Sequence, residues 1–239
     1  MPFFKNYALK QLNTFGIDVN AKLYVEVFSE ADLIAVFSNQ EVKENKLLIL
    51  GGGSNMLFTK DYNGLVVKIS IKGIVVKEDG DDVLVTAGAG EVWDNLVKYC
   101  VVNGYAGIEN LTLIPGTVGA SPIQNIGAYG VEIKDCFESL TAYHLESGEI
   151  HTFDTKACAF GYRESVFKHQ LKGQYIICTV SFKLKKNAIV NTSYGAISSE
   201  LEKQGITNPS IRDVSNAVIA IRQSKLPDPK VIGNAGSFF

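Results

Sequence analysis

The stretch Leu113–Gly130, LIPGTVGASPIQNIGAYG, constrains this chain more than any other. It is almost without charge. It follows neither the 3.6-residue period of a helix nor the alternation of a strand. Gly116, Gly119, Gly127 and Gly130 supply backbone that can take positive φ or approach another surface closely. Gln124 and Asn125 add amide donors and acceptors suited to the edge of a flat heteroaromatic ring. From these residues alone two readings stay open: the wall of a ligand site, or a buried glycine-rich crossover between strands.

A second stretch has the same character. Residues 46–50 read as a short apolar strand running into Gly51-Gly52-Gly53-Ser54-Asn55. Consecutive glycines let backbone N–H groups converge on an anion such as phosphate, and a hydroxyl and an amide follow at once. The run lacks the Lys-Ser/Thr of a Walker loop and is not a GxGxxG turn. A tight glycine turn between strands is the alternative.

The remaining pattern predicts an α+β fold, with strands too closely spaced for a regular βαβ series. Strands are expected over 22–27, 65–71, 74–76, 83–87 and 175–184, and a hairpin from 137–145 and 149–153 across Ser147-Gly148. Ser29 is expected to cap a helix with Leu33, Val36 and Phe37 on one face. Residues 91–103 predict a helix presenting Val92, Leu96 and Tyr99 together, and Pro209-Ser210 starts a last helix with Val214, Val218 and Ile221 inside. Trp93 reads as a packing anchor, and Ser193-Tyr194-Gly195 as a polar loop. We place divisions at 1–70, 71–226 and 227–239.

Composition narrows the function classes. The net charge of −2 offers no basic field for nucleic acid or an anionic membrane. No apolar run has the length of a membrane span, and Met1–Lys10 lacks a signal-peptide core, so a cytoplasmic protein is expected. Cys100, Cys136, Cys158 and Cys178 form no CxxC pair and match no zinc spacing; reduced core thiols are expected. His144 and His151 are expected on neighbouring strands as polar face residues, and no metal is expected.

Seven motifs in order carry a resemblance over nearly the whole chain: NTFGI from Asn13, GGGSNML from Gly51, AGAGEVWDNLV from Ala87, LIPGTVGASPIQNIGAYG from Leu113, FGYRES from Phe160, KLPDPK from Lys225 and GNAGSFF from Gly233. The chain resembles the UDP-N-acetylenolpyruvoylglucosamine reductase (UDP-N-acetylmuramate dehydrogenase) family of bacterial flavoenzymes. The resemblance implies an FAD-binding fold of the vanillyl-alcohol-oxidase (PCMH) type, with non-covalent FAD between two α+β subdomains. Gly51, Gly52, Gly53, Ser54, Asn55 and Met56 would hold the pyrophosphate side. Pro115, Gly116, Ser121, Pro122, Ile123, Gln124, Asn125, Gly127, Ala128 and Tyr129 would line the isoalloxazine. Arg222 would lie near cofactor or substrate phosphates.

The implied reaction of peptidoglycan precursor synthesis has two halves. NADPH gives a hydride to the flavin; the enolpyruvyl ether of a UDP-sugar then receives it at C3. Negative charge develops at C2 and spreads into the carboxylate. Arg163 matches the family position that stabilises this charge; an ordinary ion pair with Glu164 is the other reading of that arginine. Ser237 matches the proton donor to C2, although a turn serine is the simpler reading of GNAGS. Tyr162, Tyr194 and Lys225 match substrate-side positions.

The sequence departs from the family at its end. It stops at Ser237-Phe238-Phe239, where family members continue into a third, substrate-binding domain with a catalytic glutamate. The expectation is therefore a monomeric, fragmentary chain that binds FAD with impaired turnover. Another FAD-dependent oxidoreductase of this fold, or a non-catalytic FAD-binding protein, are the alternatives.

Overall fold

The computed structural model describes residues 2–187, 189–227 and 231–233. Strand β1 (Phe4–Ala8) pairs antiparallel with β2 (Asn20–Val27). Helix α1 (Glu30–Phe37) follows, with the Ser29 hydroxyl accepting from the Asp32 N–H at 3.1 Å. Then come α2 (Gln40–Lys43), β3 (Leu47–Leu50) and β4 (Tyr62–Ile69). The sheet order is β1-β2-β4-β3, and β2, β4 and β3 run parallel. In β4, Leu65, Val66 and Val67 are all buried, because a strand covered on both faces does not alternate. Leu65 and Val67 join Leu33 and Val36 in the main core, while Val66 joins Leu9, Tyr24 and Phe58 on the opposite face. Neither β1 nor the parallel pairing is in the sequence reading. Phe4–Ala8 is mostly exposed and gives no alternating signal.

The second sheet begins with β5 (Ile74–Asp79) and β6 (Asp82–Gly88), followed by α3 (Trp93–Val102). A small ribbon of β7 (Gly127–Ala128) and β8 (Val131–Glu132) precedes β9 (Phe137–His144), β10 (Ile150–Asp154), α4 (Thr155–Cys158) and β11 (Tyr175–Lys185). The order is β10-β9-β11-β6-β5, antiparallel throughout, and its inner face continues the core of the first sheet. The face of α3 differs from the expectation. It buries Trp93, Leu96, Val97 and Cys100, and leaves Val92 and Tyr99 exposed. The helix starts two residues later than the pattern suggests, and Trp93 takes the inward position. Its indole N–H donates to Leu111 O at 2.9 Å, and its ring meets Phe182 edge-on.

Two helices close the described chain, α5 (Gly195–Lys203) and α6 (Ile211–Lys225). They pack through Ile197, Leu201, Val214, Ala217, Val218 and Ile221. Helix α5 begins within the stretch read as a polar loop, since Ile197 and Leu201 are its only buried residues. Ser210 and Asp213 form the capping box that starts α6. All four cysteines are buried and unpaired, and His144 and His151 stack on neighbouring strands with ring centroids 5.4 Å apart. Among the described residues no helix is long and apolar enough to cross a membrane.

Candidate active site

The glycine triplet follows β3 directly, at the end of the first sheet where its parallel strands present their carboxyl termini. That end is where open sheets with parallel strands present ligand crevices. Gly53 has φ +65°, and a Cβ there would stand 1.9 Å from Leu12 O. The Thr14 N–H donates to Gly53 O at 3.2 Å. Asn13 holds this clamp rigid: its amide donates to Leu9 O and Ile17 O and accepts from the Ile17 N–H. The NTFGI motif is thus a scaffold for the triplet. On the other side, a Cβ on Gly52 would stand 3.1 Å from Gly116 Cα. The two glycine-rich stretches therefore meet in one cradle. Among the described residues the N–H groups of Gly52, Ser54 and Asn55 have no protein acceptor, and Gly52 and Asn55 are exposed.

Sequence reasoning missed a cation beneath this cradle. Lys68 interrupts the apolar run of β4, and its ammonium donates to Gly51 O at 2.6 Å. Burial pulls its pKa below the ordinary lysine range, with Glu26 opposing. A lone lysine in an otherwise apolar strand is the signal that was there to be read.

The central segment runs on from Gly116 as two 3-10 turns, Val118–Ala120 and Pro122–Gln124, ending at Asn125 with φ +42°. Several of its residues serve the chain itself. The buried Ser121 hydroxyl donates to Val118 O, and Pro122 is buried. Asn125 is fully buried; its amide donates to Gly161 O at 2.9 Å and accepts from the Lys134 N–H at 3.1 Å. The ring-edge role expected of that amide gives way to one of fixing the turn. Pro115 and Ile123 remain exposed, Met56, Gln124 and Ala128 half-buried.

Beyond Asn125 lies a cavity of about 630 Å³, whose walls include Gly127, Ala128, Tyr129, Glu132, Tyr162, Arg163, Tyr194, Arg222 and Lys225. Every substrate-side residue expected from the sequence, together with Arg163 and Arg222, lines it. Arg163 sits in a two-residue turn closed by reciprocal bonds between Gly161 and Glu164, and holds φ +55°. Its guanidinium donates to Asn125 O and Gly127 O and lies 5.3 Å from the Tyr162 ring centre. The ion pair with Glu164 does not form: Glu164 pairs with Lys168 and His169 instead. Among the described residues no carboxylate is within ion-pair distance of Arg163, Arg222 or Lys225, while Glu132 is paired with Lys134 at 2.7 Å. Tyr194 meets Tyr129 edge-on across the opening, 5.3 Å between ring centres.

Residues 21–154 match the FAD binding domain family. A UDP-N-acetylenolpyruvoylglucosamine reductase of Flavobacterium johnsoniae is 53% identical over 236 residues, covering 98% of this chain and 69% of the relative. The Chromobacterium violaceum protein of the same name is 50% identical over 233 residues, 97% of this chain and 68% of its own length. The chain belongs to the UDP-N-acetylenolpyruvoylglucosamine reductase family. The crystal structure of the Thermus caldophilus reductase superposes with a TM-score of 0.66 at 22% identity, over 95% of this chain and 70% of that one. A cholesterol oxidase of B. sterolicum shares the fold alone, with a TM-score of 0.52 at 13% identity over 77% of this chain.

The cradle lies within the residues matched to the FAD binding domain family, and its chemistry fits that cofactor. The glycine backbones approach too closely for side chains, N–H groups of Gly52, Ser54 and Asn55 have no acceptor among the described residues, and the Lys68 ammonium bonds Gly51 O. A dinucleotide diphosphate needs this donor set. Ser237, expected as the proton donor to C2, lies outside the described residues. Gly233 is described, and a Cβ on it would stand 2.5 Å from Thr14 O, which brings its segment against the scaffold of the cradle.

Proposed function

We propose that this chain performs the flavin-handling part of the reduction of UDP-N-acetylglucosamine enolpyruvate to UDP-N-acetylmuramate, with NADPH as the donor. When bound, FAD supplies the hydride relay between a nicotinamide and an electron-poor vinyl carbon. The observation that carries the reading is the cavity with three cations, none of which has a carboxylate partner among the described residues, next to the segment expected to line the cofactor. A ligand bearing a carboxylate and a diphosphate supplies the missing anions.

Arg163 takes the substrate carboxylate. Two backbone carbonyls fix its guanidinium, so the charge is in place before negative charge develops and no reorganisation is needed. Arg222 and Lys225 lie on the last turns of α6 and take the diphosphate. Tyr194, in the same cavity wall, covers it. Ser237 delivers the proton to C2. The chain spans 69% of the length of the first relative, and we read it as a cytoplasmic monomer.

Anaerobic spectroscopy tests this in steps. The purified chain should take up FAD, lose the flavin absorbance on NADPH addition, and regain it with the enolpyruvyl substrate. Recovery with an unrelated alcohol or sterol and none with the UDP-sugar would sink the substrate assignment.

A further inference from the structure

The short turn Glu109–Leu111 lies behind the cavity and forms no part of its wall. Asn110 within it is 1% exposed. Its side-chain amide donates to two carbonyls in different segments: Tyr129 O, in the cavity wall, at 3.2 Å and Asn191 O, three residues before Tyr194, at 2.9 Å. Asn191 completes the tie, donating to Gly130 O at 3.3 Å and accepting from the Ser193 N–H at 3.0 Å. The Tyr194 ring that follows meets the Tyr129 ring edge-on. Two residues further along the turn, the buried Thr112 hydroxyl bonds the Ser215 hydroxyl of α6 at 2.9 Å, below Arg222 and Lys225.

We propose that Asn110 is a positioning residue that locks the Tyr129 loop to the Tyr194 segment, so that the two aromatic walls of the cavity hold one geometry. The proposal rests on the reading of this cavity as a UDP-sugar site. Only a primary amide meets the requirement at this point. Both of its hydrogens are used, on acceptors from separate segments, and the neighbouring Tyr129 holds φ +52°, a conformation that needs outside support. An aspartate of the same shape has no hydrogen to give and sets its charge against two carbonyls. Tyr194 without its tie keeps its ring but loses its place, and ligand affinity falls while the flavin cradle is untouched.

The test uses the whole chain loaded with FAD, unaltered and as Asn110→Asp, Asn110→Ser and Asn191→Ala; the last keeps the backbone carbonyl that accepts from Asn110 and removes only the Asn191 side-chain bonds to Gly130 O and Ser193. Hydrogen–deuterium exchange should quicken at least about tenfold over residues 190–198 in all three and stay unchanged in β9 and β11. Titration with UDP-N-acetylglucosamine, followed through the flavin bands, should show affinity down about tenfold with FAD affinity unchanged. Unaltered exchange over 190–198 overturns the proposal, and so does faster exchange throughout the second sheet or lost FAD uptake, which would mark a general folding role. If the unaltered chain does not respond to the UDP-sugar, the cavity reading fails, and the exchange measurement still decides the tie.

Discussion

The guanidinium of Arg163 lies against the backbone of Gly127 so closely that a Cβ on Gly127 would stand 2.9 Å from Arg163 Nη1. The same Cβ would stand 2.8 Å from Val131 O, so it has no way to turn aside. The glycine is the seat of the arginine. Arg163 donates to the Gly127 carbonyl and to that of Asn125, and both bonds need this approach.

Gly127→Ala should therefore displace Arg163 without touching the cradle. We expect a stability loss of about 1–3 kcal/mol from overpacking. FAD uptake and reduction by NADPH should persist, while reoxidation by the enolpyruvyl substrate slows about 10²-fold, as when a charge-stabilising donor is lost. Stopped-flow absorbance separates the two halves. Equal slowing of both would show that Gly127 matters for the flavin and not for Arg163.

Gly53→Ala attacks the cradle itself. The left-handed backbone costs about 1–2 kcal/mol for any other residue, and the Leu12 carbonyl in its path is held by the Asn13 network. FAD affinity should fall at least about thirtyfold, the equivalent of about 2 kcal/mol. Gly80→Ala is the control, with φ +59° and nothing within 4 Å. It should lower the melting temperature and leave FAD binding alone. Equal FAD affinity for Gly53→Ala and the parent chain would remove the triplet from the cofactor site.

What the sequence revealed and what it hid divide along physical lines. The cradle was legible because Gly51-Gly52-Gly53 follows an apolar strand, and close backbone approach is written in glycine. The cavity was legible through Arg163, Tyr194 and Lys225 only by resemblance, since a lone arginine or tyrosine carries no local signature. Besides β1, the parallel pairing and Lys68, three further features stayed hidden. The buried face of α3 was misread because the helix begins at Trp93, which rotates Val92 and Tyr99 outward. The amide of Asn125 was read as a ligand group, whereas a buried left-handed turn spends it on Gly161 and Lys134. Asn110 sits in an unremarkable Glu-Asn-Leu, and its two acceptors lie 19 and 81 residues away. Long-range pairing of that kind leaves no periodicity.

Ser210→Ala probes the helix that carries two of the cavity cations. Loss of an N-cap costs about 1 kcal/mol, or about 2–4 °C in melting temperature for a chain of this size. The Ser210 hydroxyl and N–H bond the Asp213 carboxylate and hold its pKa below the ordinary 3.8. A depressed carboxylate contributes stability above that value and loses it as pH falls through the folded pKa. The difference between parent and variant should therefore shrink under acid and be full at neutral pH. A difference that does not change with pH would show that Asp213 keeps its stabilisation without Ser210.

The four thiols set the alkaline limit. Burial raises Cys100, Cys158 and Cys178 from 9.0 to about 12 and pushes Cys136 up as well. In the native chain they stay protonated at pH 8, so an aromatic disulfide reagent should label them only after urea unfolds the protein. The unfolded chain ionises near 9 and the folded chain only near 12, so the unfolded state sheds protons first. Stability is complete below pH 9 and is lost as pH rises from 9 towards 12. Tyr24, raised by burial and by Glu26, adds to the same fall above the ordinary tyrosine pKa of 10.0. The urea midpoint should hold from pH 7 to 8.5 and drop by pH 10.5. Rapid labelling of the native chain at pH 8 would mean that at least one thiol reaches solvent through an opening of the core, and peptide mapping of the labelled cysteine would locate it; a midpoint unchanged at pH 10.5 would mean that burial raises none of these groups.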